Sequence, residues 1–198
     1  MPSIEQYSQA DQRYLLQLAR QAIAQGIIGH QPVPPSMAAV STALQQPRGC
    51  FVTLTLDGQL RGCIGNLEAD TTLLEAVWRN SYLAAFKDQR FMPVTAAELD
   101  RLNYEISILT PLTPLSVKNE AALLERLRPG IDGLVLTDGG HRATFLPSVW
   151  QQLPQPERFV SQLRLKAGLP ADYWRDSLRC DIYQAIKITE ESAVADES

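Results

Sequence analysis

Residues 49–65 read GCFVTLTLDGQLRGCIG, two apolar-rich runs joined by Asp57-Gly58. An Asp-Gly pair between such runs is a strong hairpin signal, because the tight turn needs positive φ at both central residues. With Leu56 paired to Gln59, uninterrupted pairing sets Leu54 opposite Arg61, Val52 opposite Cys63, Phe51 opposite Ile64 and Cys50 opposite Gly65. The period of two then puts Arg61 and Cys63 on one face, with Cys50 on that face too. Glycine weakens a strand, so Gly62 and Gly65 need a reason. They are expected to strip side chains from around Cys63 and to let a ligand or another backbone approach.

Outward from this hairpin, helical and extended patterns alternate. Residues 8–26 carry Leu15, Leu18, Ala19, Ala22 and Ile23 on one stripe; Ser8 and Asp11 read as the start and Gly26 as the stop. The proline-rich segment 30–49 reads as irregular. Residues 71–88 form a second helix, with a Thr72/Glu75 capping box. Lys87–Val94 is a loop, and Thr95 with Glu98 begins a short helix. LNYEISILTP (102–111) alternates as a strand with Glu105 on its second face. A short helix over 119–130, a hairpin over 133–147 bending at Asp138-Gly139-Gly140, a helix from Pro156 to Gly168 and a last strand over 179–188 follow. Residues 189–198 read as a frayed polar tail. Without a repeating strand-helix-strand rhythm, the pattern predicts an α+β fold: a mainly antiparallel sheet with flanking helices. The whole of 1–198 is read as a single domain with an ordered core over about 12–188.

The chain has 198 residues, 45% of them hydrophobic, and a net charge of −4. That acidic balance argues against a nucleic-acid surface. No apolar run approaches the ~20 residues that span a membrane, and no secretory leader is read at the start. Three cysteines, an odd and low count, fit free thiols in a reducing cytoplasm. Cys50 and Cys63 are expected to remain thiols there.

Two histidines, His30 and His141, lie far apart, which gives little support to a metal site or a histidine-based triad. There is no C-x-x-C and no G-x-x-x-x-G-K-[ST]. No metal and no cofactor are expected. Cys63 reads either as a small buried hydrophobe or as a thiolate stabilised by Arg61. Glu105 is either a solvated residue or a carboxylate that moves a proton. Asp88 and Arg90 form a loop ion pair or clamp a polar ligand. Lys166, near a helix end, complements the helix dipole or contributes to the same cleft. Arg61, Gly62, Gly65, Asp88, Arg90 and Lys166 are the candidate binding residues; Cys63 and Glu105 are the candidate catalytic pair.

In order along the chain, GCFVTLTLDGQLRGCIG (49–65), KDQRF (87–91), YEISILTP (104–111), TFLPSVW (144–150) and LKAGLP (165–170) resemble the AMME chromosomal region (AMMECR) family, from about Gln12 to Ile188. The LRGCIG hexapeptide, 60–65, is the most specific of these motifs. The resemblance implies larger and smaller lobes around a cleft, with the hexapeptide nearby. It also implies cytoplasmic work in an AmmeMemoRadiSam system, beside a Memo-type protein and a radical S-adenosylmethionine enzyme. Gln89, where the family usually has proline, and Arg142-Ala143, where it shows Arg-Gly, depart from the pattern in loops or strand edges. Two functions follow as expectations: an accessory component that binds a small molecule or peptide in the cleft, or an enzyme with Cys63 as nucleophile and Glu105 as proton-transfer group.

Overall fold

The computed structural model describes residues 6–29 and 40–193. Residues 30–39 of the proline-rich segment, His30 among them, lie outside the described residues, and the rest of it holds a single helical turn at Thr42–Gln45. The chain forms two compact units: residues 1–109 with 186–198, and residues 110–185. The fold is α+β with two four-stranded sheets.

In the first unit the elements are α1 (Gln9–Ile27), α2 (Thr42–Gln45), β1 (Cys50–Leu56), β2 (Gln59–Asn66), α3 (Leu73–Phe86) and β3 (Leu102–Leu109). β8 (Ala185–Thr189) completes its sheet, in the order β2-β1-β3-β8. Both long helices start on capping boxes, Ser8/Asp11 and Thr72/Glu75, which satisfy otherwise orphaned N–H groups. α1 does not stop at Gly26. It runs to Ile27, and the positive φ falls at Gly29 (φ 80°), while Gly26 lies against the Phe86 ring. α1 and α3 cover one face of the sheet, where Val52, Leu54, Ile106 and Ile108 are buried with Leu15, Ile23 and Val77. Within that core Asn80 of α3 donates to the Cys50 carbonyl (3.0 Å) and to Asn66 Oδ1 (2.8 Å), tying the helix to the base of the hairpin.

The hairpin turn forms as expected, with Asp57 at φ 51° and Gly58 at φ 77°. Its register differs from uninterrupted pairing. Leu56 meets Gln59 and Thr55 meets Leu60, but Leu54 meets Gly62, so Arg61 is the extra residue of a β-bulge. Beyond it every partner moves by one: Thr53 faces Cys63, Val52 faces Ile64, Phe51 faces Gly65 and Cys50 faces Asn66. Cys50 therefore lies on the helix-covered face and Cys63 on the opposite one, which overturns the expectation that they share a face. The simple alternation expected to carry Arg61 and Cys63 together is interrupted between them.

The two glycines also have packing reasons. A Cβ on Gly62 would lie 2.2 Å from the Ala84 carbonyl oxygen, so α3 sits directly on the strand backbone there. A Cβ on Gly65 would meet the Phe51 ring at 2.3 Å. The space expected for a ligand beside Cys63 is filled by a helix at Gly62 and by an aromatic ring at Gly65.

The second unit holds β4 (Thr113–Pro114), α4 (Glu120–Arg126), β5 (Gly133–Asp138), β6 (His141–Phe145), α5 (Pro156–Lys166) and β7 (Arg179–Tyr183), with sheet order β4-β7-β5-β6. Its core gathers Leu134, Leu136, Phe159 and Leu163, and Trp150 stacks on Phe159 at 3.7 Å. The last expected strand is in fact two. The chain leaves β7 at Tyr183 and enters β8 at Ala185, joining a different sheet. Nor does the chain fray from residue 189. Ala193 is buried, and Ser192 Oγ donates to Thr189 O (2.9 Å) and to Gln12 Oε1 (3.3 Å).

Gly62→Ala is expected to destabilise the first unit by about 1–3 kcal/mol through overpacking against α3. Chemical denaturation of the folded variant measures this, and an unchanged midpoint would refute the close approach.

Candidate functional site

The face of the first sheet opposite the helices is polar. Register places Cys63, Thr53 and Glu105 in one row across β2, β1 and β3, with Thr55 and Asn103 in a neighbouring row. Thr53 Oγ1 donates to Cys63 Sγ at 3.3 Å, the close approach of a pair whose backbone groups point away from each other. Lys187 of β8 donates to Glu105 Oε2 at 3.1 Å, and Ser107 Oγ to Glu105 Oε1 at 3.4 Å. Glu105 thus lies on the face expected of it, but its side chain is bonded by Lys187 and Ser107, and its ladder neighbour Thr53 is the residue bonded to the thiol.

β2 is an edge strand, and the Cys63 backbone points outward from it. Asp88, just past the end of α3, accepts the Cys63 N–H at 2.9 Å. Arg90 returns Nη2 to the Cys63 carbonyl at 3.3 Å, and holds Asp88 through Nε (2.9 Å) and Nη2 (2.7 Å). The pair covers both backbone groups of one edge residue, as an adjoining strand would. The Arg90 bonds, with those from the Cys63 and Arg90 N–H groups, hold the Asp88 carboxyl down at about 2 despite its burial.

Arg61 serves a different purpose from the one expected. From the bulge its guanidinium donates to Glu98 (Nε–Oε1, 2.7 Å) and to the Met92 and Pro93 carbonyls (2.9 and 3.3 Å). Glu98 also accepts from the Thr95 N–H and hydroxyl, and Arg61 is the main reason its carboxyl falls to about 2. The cation that acts on the Cys63 thiol is Arg90. Burial, the largest influence, raises that thiol's pKa; Thr53 and Arg90 pull it down, and Asp88 and Glu105 push it up. The balance favours the neutral thiol.

Of the eight candidates, Arg61, Gly62, Cys63, Gly65, Asp88, Arg90 and Glu105 belong to the first unit. Lys166 belongs to the second, where its Nζ donates to the Thr144 carbonyl (2.9 Å) and lies over the Phe145 ring. His141, in that unit too, holds its Nδ1 2.9 Å from the Ala167 carbonyl. A pocket of about 480 Å³ opens beside the polar row, lined by Thr53, Thr55, Asn103 and Glu105 and by Thr189, Glu190 and Glu191 at the end of β8. Its threonines read in sequence only as good strand formers, and residues 189–191 read as tail, so nothing local marked them as site residues. All three cysteines are free thiols. Among the described residues no cluster of His, Cys, Asp or Glu could hold a metal, and no helix is long and apolar enough to cross a membrane.

The family model described as AMMECR1 matches residues 16–188. A protein of Methanothermobacter thermautotrophicus is 38% identical over 172 residues, covering 85% of this chain and 88% of that protein. One from Methanocaldococcus jannaschii is 38% identical over 164 residues, covering 81% and 80%. The crystal structure of an uncharacterised protein from Pyrococcus horikoshii superposes with a TM-score of 0.84 at 30% identity, covering 92% of each chain.

The depressed Asp88 carboxyl sets a pH window. An unfolded aspartate titrates near about 3.9, so Asp88 contributes stability that is complete above that value and is lost as pH falls through about 2. Asp88→Asn is expected to cost about 1–3 kcal/mol at neutral pH and to flatten the loss of stability between pH 4 and 2, with Glu98 and Asp138, whose carboxyls are also lowered, contributing to the remaining slope. Thermal unfolding across that range tests this; an Asn variant with the full acid slope would contradict it.

Proposed function

The chain belongs to the AMMECR1 family, and from that premise we propose that it is a binding or accessory component that works through the polar face of its first sheet. The observation that carries this reading is the pocket of about 480 Å³ beside the Cys63–Thr53–Glu105 row, walled by hydroxyls, an amide and carboxylates. Such a surface suits recognition of a small polar molecule or a polar segment of a partner. The ordered motifs of the chain support a place in the cytoplasm beside a Memo-type protein and a radical S-adenosylmethionine enzyme.

The alternative, in which Cys63 attacks a substrate and Glu105 moves its proton, has less physical support. Burial disfavours the thiolate, Glu105 is bonded to Lys187, and the first unit offers no imidazole among its described residues. What favours it is the Thr53 hydroxyl on the sulfur and Arg90 nearby.

Two variants separate the readings in a strain lacking the gene. Thr55→Arg, which fills the pocket, should remain folded by circular dichroism and fail to restore function. Cys63→Ser should fold and restore it. The opposite pattern, with Cys63→Ser folded but inactive in the cell and Thr55→Arg active, would replace the binding reading with the nucleophile. Direct thiol chemistry gives a second check: iodoacetamide should modify Cys63 with a midpoint above the ordinary thiol value of about 8.5, and a midpoint near neutrality would favour catalysis.

A further inference from the structure

Arg164 of α5 is the largest fully buried side chain among the described residues, 1% exposed. Its Nη1 donates to Glu120 Oε1 (2.8 Å) and to the Ala171 carbonyl (2.9 Å). Nε and Nη2 are buried as well, and neither has a hydrogen-bond partner among the described residues. These two N–H groups form the side edge of the guanidinium, which meets both oxygens of a carboxylate at once. Elsewhere the chain uses that edge in that way. Arg61 sets Nε and Nη2 on Glu98 (2.7 and 3.2 Å), Arg90 on Asp88 (2.9 and 2.7 Å) and Arg128 on Asp132 (3.0 and 2.6 Å). At Arg164 no carboxylate of the described residues takes the edge. Buried donors without an acceptor are costly, more so on a charged group, and account for themselves where a ligand completes their bonding.

The surroundings suit a carboxylate with a short apolar tail. Glu120 is 39% exposed, so water screens its charge, and it takes Nη1 rather than the edge. Cζ of Arg164 lies 5.9 Å from the centroid of the Trp174 ring, an apolar wall beside the cation. The charge reaches into the core: burial pushes the Cys180 thiol up to about 11, and Arg164 draws it down. The cover over Arg164 is segment 167–178, neither helix nor strand, which supplies the Ala171 carbonyl and the Trp174 ring. It is tied to the end of β5 by the Tyr173 and Ser177 hydroxyls, both donating to Asp138 Oδ2. A loop held by side-chain bonds opens more readily than a helix or a central strand, and its opening gives an anion a path to the edge.

We propose that the Nε/Nη2 edge of Arg164 binds one small aliphatic carboxylate, taken up beneath segment 167–178. The site belongs to the second unit, so it stands or falls apart from the reading above, which concerns the first. A carboxylate is favoured over phosphate because its planar pair of oxygens matches the edge, and because a monoanion gives up less hydration than a dianion on entering a closed site.

The test uses the full chain labelled with nitrogen-15 arginine, with acetate as probe and chloride at equal ionic strength as control. Proton–nitrogen spectra follow the arginine Nε–H groups, and thermal unfolding follows stability. Acetate should shift one Nε–H resonance saturably, one that is absent from Arg164→Met, and should raise the unfolding temperature; chloride should do neither. Arg164→Lys keeps the charge but not the edge, and should weaken acetate binding about tenfold or more. Arg164→Met fills similar space without donors; it should fold, and acetate should not stabilise it. Glu120→Gln removes a neighbouring negative charge and should tighten acetate binding. If Arg164→Lys does not fold, the wild-type spectra and Arg164→Met still decide. No saturable shift, the same shift with chloride, a shift that survives in Arg164→Met, or tighter binding of inorganic phosphate than of acetate would each overturn the proposal. So would an Arg164 Nε–H that exchanges with a trapped water and ignores acetate, since that water then completes the edge.

Discussion

The hexapeptide depends on a bond that no strand supplies. β2 ends its sheet, and an unpaired edge leaves N–H and C=O groups open to water or to another chain. At Cys63 the Asp88 carboxylate takes the N–H and the Arg90 guanidinium takes the C=O. The same loop is fastened to β2 a second time, where Arg61 reaches Glu98 and the Met92 and Pro93 carbonyls. Two fastenings, each built on a carboxylate held near 2, set the loop after α3 against the strand and fix the backbone from which the thiol projects. Individual surface ion pairs contribute little. These differ because Asp88 and Glu98 each bind backbone N–H groups as well as a guanidinium, and the Asp88 side chain is only 5% exposed.

Much of the fold was legible because its signals are local. Ser8/Asp11 and Thr72/Glu75 need only four residues to specify a helix start, and Asp57-Gly58 needs two to specify a turn. The bulge at Arg61 had no such mark. One extra residue changes no composition, yet it reverses which face each later side chain takes, and so it misplaced Cys50 relative to Cys63. The strand break at Gln184 was hidden for a related reason: RCDIYQAIKI alternates well enough throughout to read as one strand, although its halves serve different sheets.

The site was legible in its members more than in their roles. Cys63, Asp88 and Arg90 were singled out and do meet. Arg61, two residues from Cys63 in sequence, was the obvious cation for the thiol, but the side chain that acts on it is Arg90, 27 positions away. Thr53 and Asn80 escaped notice because a threonine in a strand and an asparagine in a helix carry no signal until the elements are packed. Gly62 and Gly65 drew attention correctly, though the need they answer is contact with Ala84 and Phe51.

The passage from β7 into β8 through Gln184 has a consequence for biogenesis. The second unit is one continuous segment, 110–185, whereas the first is assembled from 1–109 and from residues beyond 185. On a ribosome, every part of the second unit emerges before β8 does. Until Lys187 and Ile188 appear, β3 has an unpaired flank, Glu105 lacks its lysine and the core lacks a buried isoleucine. The nascent first unit thus waits with an exposed strand edge while an entire unit is synthesised within it, the interval in which a chaperone, or another nascent chain, has access to that edge.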